Sequence, residues 1–143
     1  MNNFLPKSYK YKKIRKKIIT SKLKSNKLSI LKHYDFGLKI LETTTLTSVV
    51  LEAARRSITR KLKRLGKLKI NTFPNVPITH KAVGIRMGKG IGSISHWVSL
   101  VKKGRILFEL KNTTYDLAKA AFRSASYKLP VKSKFVYKKI KIK

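Results

Sequence analysis

Residues 47–66 read TSVVLEAARRSITRKLKRLG, and everything else in the chain can be placed around them. Leu51, Ala54, Ile58, Leu62 and Leu65 recur at the three- and four-residue spacing of a single helical stripe. Thr47 is a favoured N-cap residue and Gly66 a favoured residue just past a helix end, so the stretch predicts an amphipathic helix of about 18 residues. Arg56, Arg60, Lys63 and Arg64 fall opposite the apolar stripe, with Arg55 and Lys61 at its edges. Glu52, four residues before Arg56, has the orientation of an ordinary helical ion pair and is the only acid in the stretch. Arg56, Arg60 and Arg64 stack like charges along one ridge, which costs an isolated helix about 0.2–0.5 kcal/mol per pair. Phosphates filling the gaps relieve that cost, because guanidinium forks grip them in pairs of hydrogen bonds. The ridge therefore predicts a phosphate-binding helix.

Outward from this helix the pattern is mixed. Gly37 to Glu42 alternates as a strand, Lys67 to Phe73 as a strand with one wet face, and Ile94 to Val101 as another. Pro74 and Pro77 frame a turn, and residues 78–86 are strand-like. Lys103-Gly104 has the chemistry of a hairpin turn into the run Ile106 to Leu110. A second helix is expected from about Thr114 to Leu129, with Ala118, Phe122, Ala125 and Leu129 as its stripe and Pro130 as its stop. Residues 132–143 begin strand-like at Phe135 and Tyr137 and end as a basic run. The fold class expected is α+β: a two-layer sandwich of mixed or antiparallel strands with two amphipathic helices. The division expected is a basic N-terminal extension over residues 1–35 and one α+β domain over 36–143.

Charge narrows the function. The 143 residues carry 36 Lys and Arg against 5 Asp and Glu, a formal net charge of +31. A small soluble domain is comfortable at a magnitude of roughly 2–8. At +31 a compact fold repels itself unless a dense polyanion relieves it. The chain is nevertheless 42% hydrophobic, too apolar for a disordered polycation, so a folded protein working in complex with nucleic acid is implied. RNA is favoured over DNA, since no recognition-helix or zinc-finger pattern is present. With 28 Lys to 8 Arg and 14 Ile, the composition is that of an A/T-rich coding sequence, as in an organelle or an A/T-rich bacterium.

Two further segments point to a polyanion. Residues 1–34 hold eleven basic residues and no acid, densest in KSYKYKKIRKK from Lys7 to Lys17. Tyr9 and Tyr11 can stack on bases while Lys7, Lys10, Lys12, Lys13, Arg15, Lys16 and Lys17 meet phosphates, which predicts an arm that orders on binding. The second segment is the cluster Arg86-Met87-Gly88-Lys89-Gly90-Ile91-Gly92. It matches neither the dinucleotide fingerprint nor the P-loop. It reads either as a flexible hairpin loop or as a backbone that approaches another surface closely, with Arg86 and Lys89 facing phosphate.

Other chemistries find little support. Five scattered carboxylates offer no paired acid/base site, and His33, His80 and His96 lack metal-ligand spacing. With no cysteine, disulfides, thiolate sites and cysteine nucleophiles are excluded. No apolar run approaches the roughly 20 residues of a membrane span. Neither catalysis nor a cofactor or metal is expected. A DNA-compacting protein, a general basic nucleic-acid binder and a membrane-active cationic protein share the charge, but none predicts the glycine loop or two core stripes.

These residues resemble a known family, that of large-subunit ribosomal protein sixteen. The resemblance rests on Leu5-Pro6-Lys7 with Tyr11-Lys12-Lys13, on Phe36-Gly37-Leu38-Lys39, and on Glu52-Ala53-Ala54-Arg55-Arg56 with Thr59-Arg60. It continues through Phe73-Pro74, Pro77-Ile78-Thr79, Lys81, Arg86-Met87-Gly88-Lys89-Gly90, Gly92, Trp97-Val98 and Gly104. Ala118, Ala121-Phe122, Lys128-Leu129-Pro130 and Phe135-Val136 complete it, so nearly the whole chain is covered. The resemblance implies a non-enzymatic component of the large subunit that binds its rRNA, meets neighbouring large-subunit proteins and lies close to A-site tRNA and the path to the peptidyl transferase centre. It implies an α+β sandwich with a basic N-terminal extension, and places Arg55, Arg56, Arg60, Arg86 and Lys89 toward RNA. The chain departs from the family where Thr20–Lys32 lacks glycine and where Ile91 stands in place of a common lysine. Because the resemblance begins at Leu5, synthesis in the compartment of use is expected: a mitochondrial ribosome first, a plastid or bacterial one as alternatives.

Overall fold

The computed structural model describes residue 6 and residues 30–88 and 90–138. In chain order its elements are β1 (Phe36–Ile40), β2 (Thr44–Thr47), α1 (Ser48–Lys61), β3 (Lys67–Ile70), β4 (Val76–His80), β5 (Ser93–Val101), β6 (Ile106–Lys111), α2 (Tyr115–Ser126) and β7 (Ser133–Tyr137). The expected arm residues Lys7, Lys10, Lys12, Lys13, Arg15, Lys16 and Lys17, the loop's Lys89 and the last five residues lie outside the described residues.

The helix α1 starts where its cap predicts. Thr47 is extended, and its hydroxyl accepts the Val50 amide at 3.4 Å, satisfying one of the amides left open at a helix start. Leu51, Ala54 and Ile58 of the stripe are buried. The end differs from expectation. The helix stops at Lys61, Leu62 caps it in right-handed geometry, and the two residues after the cap turn left-handed, Lys63 at φ 49° and Arg64 at φ 66°. The Lys63 amide donates to the Arg60 carbonyl and the Arg64 amide to that of Thr59, which closes a Schellman cap with lysine where glycine is usual. Leu65 consequently leaves the stripe and stands 63% exposed, while Gly66 follows the cap and does not form it. The second helix, α2, buries Ala118, Ala121, Phe122 and Ala125, and Leu129 joins the core from the turn beyond it.

Seven strands form two sheets, ordered β3-β6-β1-β7 and β2-β5-β4, and every pair among the described residues is antiparallel. The fold is α+β. Two turn expectations fail here. Residues 102–105 do form a turn, with Arg105 donating to the Lys102 carbonyl, but β5 and β6 do not pair across it. The turn instead hands the chain from the three-stranded sheet to the four-stranded one: Gly104 donates to the Ile40 carbonyl and Ile40 to that of Arg105. Pro77 does not frame a turn either. It sits within β4 opposite Trp97, a place it can hold because β4 is an edge strand whose outward amides need no partner. The chain leaves β4 at His80, so residues 81–86 belong to a loop.

The two helices pack on each other and contribute to a core that also takes Leu38 and Ile40 of β1, Phe108 and Leu110 of β6, and Leu46 and Val101 of the smaller sheet. Each fully buried side chain of this size contributes about 1.5–3 kcal/mol. Residues 30–35 lie against the larger sheet. A Cβ on Gly37 would come within 2.5 Å of Leu31 Cδ2, so glycine there lets Leu31 seat against the strand. Glu109, 1% exposed, accepts the backbone amides of His33 at 2.9 Å and Tyr34 at 3.0 Å and the side-chain amide of Asn71 at 2.6 Å. A buried carboxylate is tolerated when such donors replace its water.

Candidate nucleic-acid interface

The outward faces of α1 and α2 enclose a groove of about 750 Å³. Arg56, Arg60, Lys61 and Lys63 line it from the first helix and its cap, Ser124 from the second helix, and Lys128 from the turn just beyond it. Glu52 is its one acid, and its charge is committed. Arg55 grips it through Nε at 2.8 Å and Nη2 at 2.7 Å, and Arg56 Nε meets it at 2.9 Å. The hydrogen bond from Arg55, against some burial and helped by Arg56, holds the Glu52 carboxyl down at about 2. One carboxylate thus fixes two guanidinium groups and leaves a net positive charge at the helix start. Arg60, Lys61, Lys63 and Lys128 have no ion-pair partner among the described residues.

The ridge expected from four-residue spacing is shorter than predicted. Arg56 and Arg60 share it, whereas Arg64 has left the helix through the left-handed turn and does not line the groove. Two consecutive non-glycine residues with positive φ cost roughly 1–2 kcal/mol each, a strain that local structure must sustain. The geometry also brings in Ser124 and Lys128, which sequence reasoning passed over. They lie seven and eleven residues after Leu117, a spacing that returns to one helical face, and Leu117 lines the same groove.

The second predicted element connects β4 to β5. Within it Arg86 is exposed, as are Val83 at 100% and Met87 at 94%. Gly88 and Gly90 have φ 93° and 87°, a region that side chains disfavour, and a Cβ on either would meet nothing within 4 Å. Their glycine is required by backbone conformation and not by crowding inside the chain. Gly92 differs: a Cβ there would strike the His80 carbonyl, so it closes the loop onto the end of β4 and does not present backbone outward. The Lys81 ammonium donates to the Gly88 carbonyl and ties the loop back to the strand end.

No group of His, Cys, Asp or Glu among the described residues could hold a metal ion, and none of the helices described is long and apolar enough to cross a membrane. The arrangement is that of a basic α+β protein with a groove where cations outnumber the one carboxylate and with an exposed glycine loop, the charge distribution of the class of nucleic-acid-binding proteins. The family model for ribosomal protein L16p/L10e matches residues 6–136, and the chain belongs to that family. It is 47% identical over 131 residues to the large ribosomal subunit protein uL16 of Erythrobacter litoralis, covering 92% of this chain and 90% of that protein. It is 48% identical over 105 residues to uL16 of Buchnera aphidicola subsp. Acyrthosiphon pisum (strain Tuc7), covering 73% and 77%. To uL16 of Chelativorans sp. (strain BNC1) it is 48% identical over 101 residues, covering 71% and 74%.

Proposed function

We propose that this protein is a structural constituent of the large ribosomal subunit, that it binds large-subunit rRNA through the α1/α2 groove and the basic N-terminal residues, and that it helps organise the region around A-site tRNA. Membership of the L16p/L10e family over residues 6–136 carries the reading. The groove supports it chemically: Arg60, Lys61, Lys63 and Lys128 face outward without carboxylates, the condition in which phosphates stabilise a fold. Arg56 lines the groove and Arg55 shares Glu52 with it, Arg64 would meet RNA from beyond the helix end, and Lys7 to Lys17 would extend the contact. The loop from Arg86 through Gly88, Lys89 and Gly90 to Gly92 would approach RNA near bound tRNA, with Gly88 and Gly90 admitting the backbone and Gly92 closing the loop onto β4. The protein's part is positioning, and the chemistry of peptide transfer is left to RNA. Other large-subunit proteins would be its neighbours, and membrane insertion is no part of this reading. The relatives above are bacterial; the Lys- and Ile-rich composition fits an organelle or an A/T-rich bacterium, and our reading is a mitochondrial ribosome first, with a plastid or bacterial one as alternatives.

The test is sedimentation. The chain should travel with large subunits in a sucrose gradient, and the purified chain should bind large-subunit rRNA fragments in preference to bulk DNA. If 6–10 phosphates are neutralised, affinity should fall by roughly 10³–10⁵ between 50 and 200 mM salt. A chain that stays at the top of the gradient and binds DNA equally well would be a general basic nucleic-acid binder.

A further inference from the structure

The connection from β3 to β4 and the turn before β6 border a second groove, about 770 Å³ in volume, that the reading above leaves without a task. Phe73 lines it at 45% exposure, beside Asn75, Lys69, Lys32 and Arg105. Arg105 Nη2 donates to the Asn71 carbonyl at 2.8 Å, while its Nε is buried with no hydrogen-bond partner among the described residues. Among the described residues the protein gives this guanidinium one hydrogen bond, through Nη2, and Nε is closed to a ligand in the groove. Glu109, the groove's one carboxylate, offsets only part of the charge of Arg105, Lys69 and Lys32. Its oxygens are taken by His33, Tyr34 and Asn71, and no ion pair joins it to Arg105, Lys69 or Lys32 among the described residues. An open aromatic face thus stands in a groove where cations outnumber the carboxylate.

Each half of that pairing excludes a simpler occupant. A bare phosphate would use the cations and waste the ring, and an apolar peptide would cover the ring and leave the charge without an anion. A nucleotide uses both, because every base has a π face and every linkage a phosphate. We propose that this groove holds one unstacked nucleotide of RNA, its base on Phe73 and its phosphate on Arg105 and Lys69. The inference rests on the RNA-binding reading above and adds to it a subsite that takes a base, where the α1/α2 groove takes backbone charge. The Asn75 amide, carrying both donors and an acceptor, can meet a base edge at the groove's rim.

Two variants test it in the full chain. Phe73→Leu keeps apolar bulk and removes the π face, and Arg105→Lys keeps the charge and removes the fork. With a large-subunit rRNA fragment as probe, Phe73→Leu should weaken binding by roughly 5- to 100-fold, the range of one lost base–aromatic stack, with an unchanged salt slope. A photo-crosslinking residue at position 73 in assembled subunits should join a single nucleotide. Wild-type affinity in Phe73→Leu, with unchanged melting temperature, overturns the subsite. So does a crosslink to another protein or to this chain's own N-terminal residues. Those results leave RNA binding itself intact, whereas a wild-type chain that fails to bind rRNA overturns the reading on which the subsite rests.

Discussion

The α1/α2 groove and the loop between β4 and β5 are both basic, yet they are built on opposite plans. In the groove the backbone is regular and side chains carry the charge: Glu52 pins Arg55 and Arg56, and the helix surface spaces Arg60 and Lys61. In the loop the backbone itself is unusual, with Gly88 and Gly90 left-handed, and its few cations are spread among exposed apolar side chains with no acid between them. Charge on a rigid surface suits a fixed run of phosphates. A backbone stripped of side chains suits a close approach to a shaped surface. The difference predicts that salt will report on the first and geometry on the second.

The largest effect should come from Arg56→Gln, Arg60→Gln and Lys63→Gln together. Hydrogen bonds to charged partners are worth about 1.5–3 kcal/mol each, so rRNA affinity should drop by at least about 10³-fold and the salt slope should flatten. Titration at several salt concentrations measures both, and an unchanged slope would mean that the groove is merely solvated. The loop counterpart, Arg86→Gln with Lys89→Gln, should leave subunit incorporation intact and weaken A-site tRNA binding. If this pair flattens the slope as strongly as the groove variant, the contrast between the two regions is lost.

Next in size is Glu109→Leu. It strips His33, Tyr34 and Asn71 of their acceptor, and each buried group left unsatisfied costs about 1–3 kcal/mol. Chemical denaturation should show the loss, and amide exchange should show it first at residues 32–34. The same carboxyl gives a pH dependence. Burial pushes its pKa up, but the His33, Asn71, Tyr34 and Lys32 donors outweigh this and hold it below the usual range. Glu52 is likewise depressed, to about 2. A depressed carboxylate stabilises above its unfolded value of 4.5 and loses that contribution as pH falls toward its folded value. Stability should therefore decline between about pH 4.5 and 2, and Glu109→Gln should blunt the decline.

Smaller effects separate the glycines and the cap. Gly92→Ala forces a side chain into the His80 carbonyl and should destabilise the β4–β5 pair. Gly90→Ala meets open space and should cost only the roughly 1 kcal/mol of its left-handed backbone. Equal melting temperatures for the two would contradict this division. Lys63→Gly should raise stability by about 1 kcal/mol, because glycine relieves the cap, while lowering rRNA affinity through the lost cation. Opposite signs in calorimetry and binding are the expected outcome.

Much of the molecule could be read locally. The Thr47 cap, the stripe from Leu51 to Ile58 and the stripe from Ala118 to Ala125 are periodic features, and a helix buries whichever face its own spacing makes apolar. The charge excess and the glycine loop were equally plain, since both follow from composition and short spacing. What required the folded chain was the choice of partners. Lys103-Gly104 has hairpin chemistry, yet Ile40 claims the turn and sends β6 to pair with β1 and β3. A turn motif specifies a reversal of direction and not the strand that pairs after it. The end of α1 followed the same rule: Gly66 offered a stop, but Lys63 and Arg64 turned earlier, closing the Schellman cap onto Arg60 and Thr59. Glu109 looked like one scattered acid until the sheet brought it under His33, Tyr34 and Asn71, up to 76 positions away. Arg105 and Phe73 likewise meet only across a groove that two sheets create. Periodicity is local and survives in the bare sequence; long-range pairing is settled by which arrangement buries the most apolar surface while leaving the fewest polar groups unsatisfied.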